Sequence, residues 1–260
     1  MNKIDSRKIK ALFIDLDGTL YFKDRPIEGA ADAINQLRNQ GFILKFLTNT
    51  DSQTNLAIQN KLNSYQLKVE LDEIYTPLSA SLKFLKNLKD KTFFPLVSNN
   101  ILPEYTTLNM DDQKVDYVVI GDFRDRVSYE LLNRAFRLIA DGAEIIALQK
   151  GKFFYNSEGK NLDTGAFVQL FEYASDKKAL VLGKPSQEFF QIILKELKLQ
   201  PDQIAIIGDD LATDIRGAKD LGAFSVLVKT GKYQDNSGFD PTLQPELIIS
   251  SIAEISGHII

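Results

Sequence analysis

Asp15 and Asp17 stand two residues apart in the sequence, and Gly18 and Thr19 follow them directly. Two carboxylates this close repel each other unless a cation is present, and Mg²⁺ is a cation that carboxylate oxygens bind well. Gly18 has no Cβ, so the backbone there can turn and approach a ligand. An Asp-Gly turn closed by an Asx hydrogen bond is the alternative interpretation.

A second acidic group follows the apolar run 203–207 and contains Asp209, Asp210 and Asp214. Capping of the following helix and interaction with its dipole would explain one or two of these residues. Three carboxylates exceed what capping requires, so we expect Asp209 to face the same crevice as Asp15. Asp210 is expected to play only a supporting part.

Lys184 and Thr48 also follow apolar runs. A lysine at such a junction can neutralise a phosphate that the neighbouring carboxylates would repel. The hydroxyl of Thr48, next to backbone amides, suits an oxyanion. A solvated surface lysine and a helix-capping threonine are the alternatives for these two residues.

The composition excludes several classes of mechanism. The chain of 260 residues has no cysteine and one histidine, His258, which removes thiolate nucleophiles, cysteine-based metal sites and Ser-His-Asp catalysis. Its net charge of −4 argues against nucleic-acid binding. No apolar run reaches the roughly 18 residues that span a membrane. The first residues lack the apolar stretch of a signal peptide, so we expect a cytoplasmic protein.

Short apolar runs alternate with helical patterns along the chain. This alternation predicts an α/β fold, with a Rossmann-like doubly wound parallel sheet. Ligands bind such sheets beyond the carboxyl ends of the strands. The four polar groups all follow predicted strands, which are 10–14, 42–47, 179–182 and 203–207.

The middle of the chain differs from its two ends. We interpret residues 78–182 as a smaller α/β domain inserted into a core formed by 1–77 and 183–260. A single longer sheet is the alternative. The C-terminal stretch 245–260 is predicted to form a strand and then a helix.

Taken together, the four groups resemble the motifs of the haloacid dehalogenase superfamily, in the same order along the chain. The form Thr48-Asn49-Thr50 and the long insertion before Lys184 resemble the NagD-like branch, which carries a C2-type cap domain. The resemblance covers nearly the whole chain. It implies a Mg²⁺-dependent phosphatase whose inserted domain acts as a cap over the site.

The resemblance also implies roles for the residues. Asp15 would attack phosphorus and form an aspartyl-phosphate, while Asp17 would act as general acid and then as general base. Mg²⁺ would be bound by Asp15, Asp209 and the backbone carbonyl of Asp17. Asp214 would orient Lys184 or a metal-bound water. The phosphoryl oxygens would be held by four residues, which are Gly18, Thr48, Asn49 and Lys184.

The cap residues Asp163, Thr164 and Gly165 correspond to a segment that faces substrate in related caps. Gly165 could instead serve only to open a helix. The cap has no obvious basic cluster or aromatic cage, so the sequence does not identify the substrate. The resemblance implies a small phosphorylated substrate. A homodimer formed through the cap is an option that rests on the resemblance alone.

Two other functions stay open from the sequence. One is a phosphate-binding regulatory protein with little or no turnover, against which the presence of both Asp15 and Asp17 argues. The other is a phosphotransferase or mutase that passes the phosphoryl group to a sugar.

Overall fold

The computed structural model describes residues 3–156, 159–235 and 243–260. The strands in these ranges are β1 (Ala11–Asp15), β2 (Tyr21–Phe22), β3 (Arg25–Pro26), β4 (Ile43–Leu47), β5 (Ile74–Tyr75), β6 (Phe93–Leu96), β7 (Tyr117–Ile120), β8 (Glu144–Ala147), β9 (Phe153–Asn156), β10 (Gly159–Leu162), β11 (Leu180–Val181), β12 (Ile204–Gly208), β13 (Phe224–Val228) and β14 (Leu247–Ile249).

The α-helices in the same ranges are α1 (Ala30–Asn39), α2 (Asn55–Ser64), α3 (Pro77–Asn87), α4 (Leu102–Tyr105), α5 (Tyr129–Ala140), α6 (Thr164–Ser175), α7 (Gln187–Leu197) and α8 (Arg216–Leu221). One π-helical turn, Leu211–Ile215, follows β12. Short 3₁₀ segments include Gly231–Asp235 and Ile252–His258. The predicted strand and helix near the C-terminus are therefore β14 and this last 3₁₀ segment.

Internal contacts divide the chain into two compact units. The first consists of Met1–Thr48, Asn55–Tyr75 and Lys184–Ile260, and the second of Asn49–Thr54 and Thr76–Gly183. The division places the short segment after Thr48 in the second unit, whereas the sequence assigns it to the core.

The first unit is built on a six-stranded parallel sheet with the order β14-β13-β12-β1-β4-β5. From β1 the chain moves outward through β4 and β5, and it later returns to the other side of β1 at β12. The strand order therefore reverses beside β1, and ligands bind parallel sheets at such a reversal.

The two central strands of this sheet are apolar and fully buried. All five residues of β1 and all five of β12 are buried, as expected of strands covered on both faces. Helix α1 covers one face with Ala30, Ala33, Ile34 and Leu37, which recur at helical spacing. The register pairs Ile14 with Ile207, so β1 and β12 end side by side.

The second unit has its own parallel sheet, in the order β11-β8-β7-β6. The antiparallel pair β9 and β10 is separate from that sheet. Pro95 lies in β6, an edge strand, where a missing N–H interrupts no ladder between two neighbours. Helix α5 is capped by Ser128, the residue before it, whose side chain accepts a hydrogen bond from the N–H of Leu131.

The expected alternation of strands and helices is present, and the predicted α/β fold class with a Rossmann-like sheet is confirmed by the parallel sheets. A proline after Lys184 suits the first turn of the following helix, but Pro185 instead precedes Ser186, the residue before α7, and it follows a cis peptide bond. The hairpin of β2 and β3 was not predicted, because two-residue strands give too short a periodicity to recognise.

Asp51 connects two segments of the second unit. It is buried, and its Oδ2 accepts a hydrogen bond from the Thr164 hydroxyl at 2.7 Å. Burial raises the pKa of Asp51 to about 7, although the Thr164 hydroxyl opposes the shift. Asp51 therefore links the segment Asn49–Thr54 to the first residue of α6.

We expect this buried carboxyl to make the stability of the protein depend on pH. The pKa is higher in the folded than in the unfolded chain, so ionisation of Asp51 between about pH 4 and pH 7 disfavours folding. Asp51→Asn keeps an acceptor for Thr164 but cannot ionise. Its free energy of unfolding should therefore fall less than that of the wild type over this range, by about 1 to 4 kcal/mol.

Urea unfolding followed by circular dichroism at several pH values would measure this difference. Asp90→Asn, at an exposed aspartate of the same unit, is the control and should leave the pH dependence unchanged. Parallel curves for Asp51→Asn and the wild type would contradict the assignment.

Candidate active site

Asp15 is the last residue of the central strand β1 and is buried. Its Oδ1 accepts a hydrogen bond from Lys184 Nζ at 2.5 Å, and its Oδ2 accepts one from the Thr19 hydroxyl at 3.1 Å. Burial raises the pKa of Asp15, and the charge of Lys184 opposes that shift. The carboxylate is thus held at both oxygens at the end of the strand.

Asp17 and Gly18 form the turn after β1. The side chain of Asp17 is exposed, yet partial removal of water around its carboxylate raises its pKa, while Lys232 and Lys61 oppose the shift. Gly18 has a φ of +92°, and a Cβ there would overlap the carboxylate of Asp209. Glycine is therefore required at this position for two reasons, conformation and close approach.

The carboxylates that follow β12 divide between two tasks. Asp209 is buried, and its Oδ2 accepts a hydrogen bond from the backbone N–H of Lys232 at 2.6 Å. Asp210 caps the π-helical turn by accepting from the N–H of Ala212 at 2.8 Å. The expected capping role thus belongs to Asp210. Burial raises the pKa of Asp209, and the nearby charge of Asp15 adds to this effect.

Lys184 is not a surface lysine, since only 3% of its side chain is exposed. Its Nζ donates to Asp15 Oδ1 and, at 2.7 Å, to Asp214 Oδ1. Burial alone would lower the pKa of Lys184, but the two carboxylates outweigh it and raise the pKa. Asp214 is also buried, and burial raises its pKa against the opposing charge of Lys184.

Thr48 lies directly after β4 and is buried. The register pairs Asp15 with Leu47, so Thr48 follows the residue beside Asp15. Its backbone N–H donates to the carbonyl of Tyr75 at 3.2 Å. Asn49 belongs to the second compact unit.

The first unit brings three carboxylates together at this edge of the sheet. Oxygen atoms of Asp15, Asp209 and Asp214 all lie within 4.8 Å of one another, and all three residues are buried. Oxygen ligands of this kind suit Mg²⁺, and buried carboxylates this close require positive charge. The donor set therefore fits the expected Mg²⁺. Both oxygens of Asp214 already accept protein hydrogen bonds, from Lys184 and from the N–H of Asp210.

Three further residues belong to this site and were not predicted from the sequence. Thr19 holds Asp15, the Thr230 hydroxyl donates to the carbonyl of Gly18 at 2.5 Å, and Lys232 contacts both Asp209 and Asp210. Thr230 and Lys232 follow the carboxyl end of β13. The rule that identified the other groups, polar residues after a parallel strand, would have found them.

The three residues proposed to determine specificity lie in the second unit. Asp163 caps α6, where its Oδ1 accepts from the N–H of Thr164 and from Gln149 Nε2, each at 2.8 Å. The Thr164 hydroxyl is bound to Asp51, as described above. Gly165 packs so closely on the backbone of Lys150 that a Cβ would clash with it. A contact of these residues with substrate stays a prediction.

No helix in the described part of the chain is long and apolar enough to cross a membrane. The family model for haloacid dehalogenase-like hydrolases matches residues 12–111, and a HAD-hydrolase-like model matches residues 181–255. These matches include all four predicted motif groups.

Curated proteins resemble the chain over almost its full length. Haloacid dehalogenase-like hydrolase domain-containing protein 2 of Mus musculus is 36% identical over 98% of this chain and 97% of its own. Phospholysine phosphohistidine inorganic pyrophosphate phosphatase of Xenopus laevis is 33% identical over 94% of this chain and 92% of its own.

Solved structures show the same fold. The 4-nitrophenylphosphatase of Thermotoga maritima superposes with a TM-score of 0.87 at 25% identity and covers 96% of this chain and 97% of its own. NagD of E. coli K-12 superposes with a TM-score of 0.85 at 26% identity and covers 95% of this chain and 98% of its own. The predicted fold and enzyme class, a phosphatase of this superfamily, are confirmed. The chain belongs to the haloacid dehalogenase superfamily, in its NagD-like branch.

Proposed function

We propose that the chain is a Mg²⁺-dependent phosphatase that hydrolyses a small phosphate monoester or related phosphoryl compound through an aspartyl-phosphate on Asp15. The observation that carries the proposal is the buried ion pair of Asp15 and Lys184 at 2.5 Å, next to the carboxylates of Asp209 and Asp214. This arrangement supports the proposal, because a carboxylate that could act as nucleophile is buried next to a cation that could bind phosphoryl oxygens.

In the first step a carboxylate oxygen of Asp15 attacks phosphorus, and the bond between phosphorus and the leaving oxygen breaks. Lys184 and Thr48 bind the phosphoryl oxygens on the buried side, together with Asn49 and the backbone at Gly18. Because partial removal of water raises the pKa of Asp17, this residue can carry the proton that the leaving oxygen needs.

In the second step the ionised Asp17 takes a proton from water while the water oxygen attacks phosphorus. The bond to Asp15 breaks, inorganic phosphate leaves, and the carboxylate of Asp15 is regenerated. Asp214 is a positioning residue, because its Oδ1 accepts a hydrogen bond from Lys184 Nζ.

Mg²⁺ would be held by the carboxylates of Asp15 and Asp209 and by the backbone carbonyl of Asp17. When bound, it supplies positive charge that reduces repulsion between the anionic nucleophile and the anionic phosphate. The second compact unit is proposed to act as the cap, with Asp163, Thr164 and Gly165 as its contacts to substrate. The cytoplasmic location and the homodimer stay predictions.

Asp15→Asn should abolish turnover of 4-nitrophenyl phosphate, with a loss of about 10³-fold or more, because the amide is a poor nucleophile. Asn is nearly the same size and keeps an acceptor for Lys184, so the variant should fold. Release of inorganic phosphate by wild type and variant, with and without Mg²⁺, is the measurement.

Asp202→Asn is the matched control, since Asp202 is an exposed aspartate of the same unit that pairs with Lys8 at 3.4 Å. It should retain wild-type turnover. Residual activity of Asp15→Asn above a few per cent would exclude Asp15 as the nucleophile.

Mg²⁺ should also raise the melting temperature of the wild type, because a ligand that binds only the folded state stabilises it. At a hundredfold excess over the dissociation constant the gain is about 2.7 kcal/mol. Asp209→Asn removes one proposed ligand and should lose most of this shift, and a chelator should silence phosphate release reversibly. A melting temperature that does not respond to Mg²⁺ in the wild type would refute the metal assignment.

A further inference from the structure

The segment of Thr230, Gly231 and Lys232 forms an additional side of the proposed active site. The Thr230 hydroxyl donates to the carbonyl of Gly18, and the backbone N–H of Lys232 donates to Asp209 Oδ2. Gly231 has a φ of +56°, and a Cβ there would overlap the Asp209 carboxylate. These contacts use the hydroxyl of Thr230 and the backbone of Lys232. The side chain of Lys232 takes no part in them.

The ammonium of Lys232 is placed differently from that of Lys184. The side chain of Lys232 is 67% exposed, whereas that of Lys184 is 3% exposed. Two of the three N–H donors of Lys184 are used by Asp15 and Asp214. Lys232 is therefore the cation of this cluster that a ligand can reach from solvent.

Charge in the site creates a need for this second cation. The charges of seven side chains in the site sum to −3 when all are ionised, and a bound divalent cation would still leave −1. These side chains are Asp15, Asp17, Asp209, Asp210, Asp214, Lys184 and Lys232. A phosphate dianion entering such a site is repelled unless cations contact it directly. Lys184 can contact a bound phosphate from the buried side of the site. An anionic group of the substrate that lies nearer to solvent needs another cation.

Asp210 holds the Lys232 ammonium in place. Its Oδ2 accepts from Lys232 Nζ at 3.0 Å, while its Oδ1 is fixed by the N–H of Ala212. Ordering a lysine side chain has a cost in rotamer entropy. The contact with Asp210 restricts the side chain before any ligand arrives, which reduces that cost.

The position of Lys232 relative to Asp17 indicates which part of a substrate it faces. The segment that carries Lys232 packs against Gly18, the residue after Asp17: the Thr230 hydroxyl donates to the Gly18 carbonyl, and a Cβ on Gly231 would lie 2.4 Å from Gly18 Cα. Asp17 is the proposed proton donor to the leaving oxygen, so the leaving group lies on the side of the site where Lys232 lies. Lys184 and Thr48 lie on the buried side, with the transferred phosphoryl group.

Resting on the proposed function, we propose that Lys232 is a specificity-determining residue whose ammonium binds a second anionic group on the leaving part of the substrate. The favoured substrates are then phosphate esters whose leaving group carries a carboxylate or another phosphoryl group. A neutral leaving group gains nothing from this contact.

Two matched probes test the proposal, 3-carboxyphenyl phosphate and its neutral amide 3-carbamoylphenyl phosphate. Wild type should prefer the carboxylate probe. Lys232→Gln should lower kcat/KM for both probes, because the phosphoryl group also loses an attractive charge. The loss should be about 5- to 10-fold larger for the carboxylate probe, and mainly in KM. Lys232→Arg keeps the charge and should retain most of the preference.

Lys8→Gln is the control, because Lys8 is 60% exposed and pairs with an aspartate in the same unit. It should leave the ratio of the two kcat/KM values unchanged. An equal loss on both probes for Lys232→Gln, or no loss on either, would overturn the proposal. Failure of wild type to hydrolyse either probe would instead contradict the proposed phosphatase function, and the Lys232 proposal with it.

Discussion

The site depends on one buried cation, Lys184, held between Asp15 and Asp214. Removing one partner from a buried ion pair typically costs about 3 to 5 kcal/mol, because the remaining charge has no water to solvate it. The ion pairs of Lys184 therefore hold the carboxylates of Asp15 and Asp214 in position, and the two carboxylates hold the Lys184 ammonium in position. Asp15 belongs to β1 and Asp214 follows β12, so this contact also joins the turns after the two central strands.

The parallel sheet brings these groups together by its register. The ends of β1 and β12 lie side by side, and the residues that follow each strand meet at one edge. Gly18 and Gly231 then allow the backbone to approach Asp209 where any side chain would collide with it. The chemistry is therefore carried by side chains of a few short turns, while the strands determine where those turns begin.

The fold and the main groups of the site were predictable because each motif follows a strand whose apolar pattern is clear. Asp15, Thr48 and Asp209 could be placed in this way, whereas Lys184 follows β11, a strand of the second unit's sheet. Lys232 also follows a strand, but its role could not be derived from that position alone, since a lysine after a strand is usually a surface residue and its contacts depend on the backbone of a 3₁₀ segment. The link from Asp51 to Thr164 joins residues 113 positions apart, and no local pattern encodes it.

The pairing of β1 with β12 also affects how the chain can fold during synthesis. Ile14 pairs with Ile207, so this contact cannot form until the residues between them have been synthesised. There are roughly 190 such residues, and their translation takes about 10 to 40 s at 5 to 20 residues per second. The second unit is almost contiguous in sequence, and three strands of its sheet, β6, β7 and β8, are synthesised long before β12, while β11 follows shortly before it. During this interval the apolar strand β1 lacks one of its two neighbours, and it is then an exposed edge open to chaperones or to aggregation.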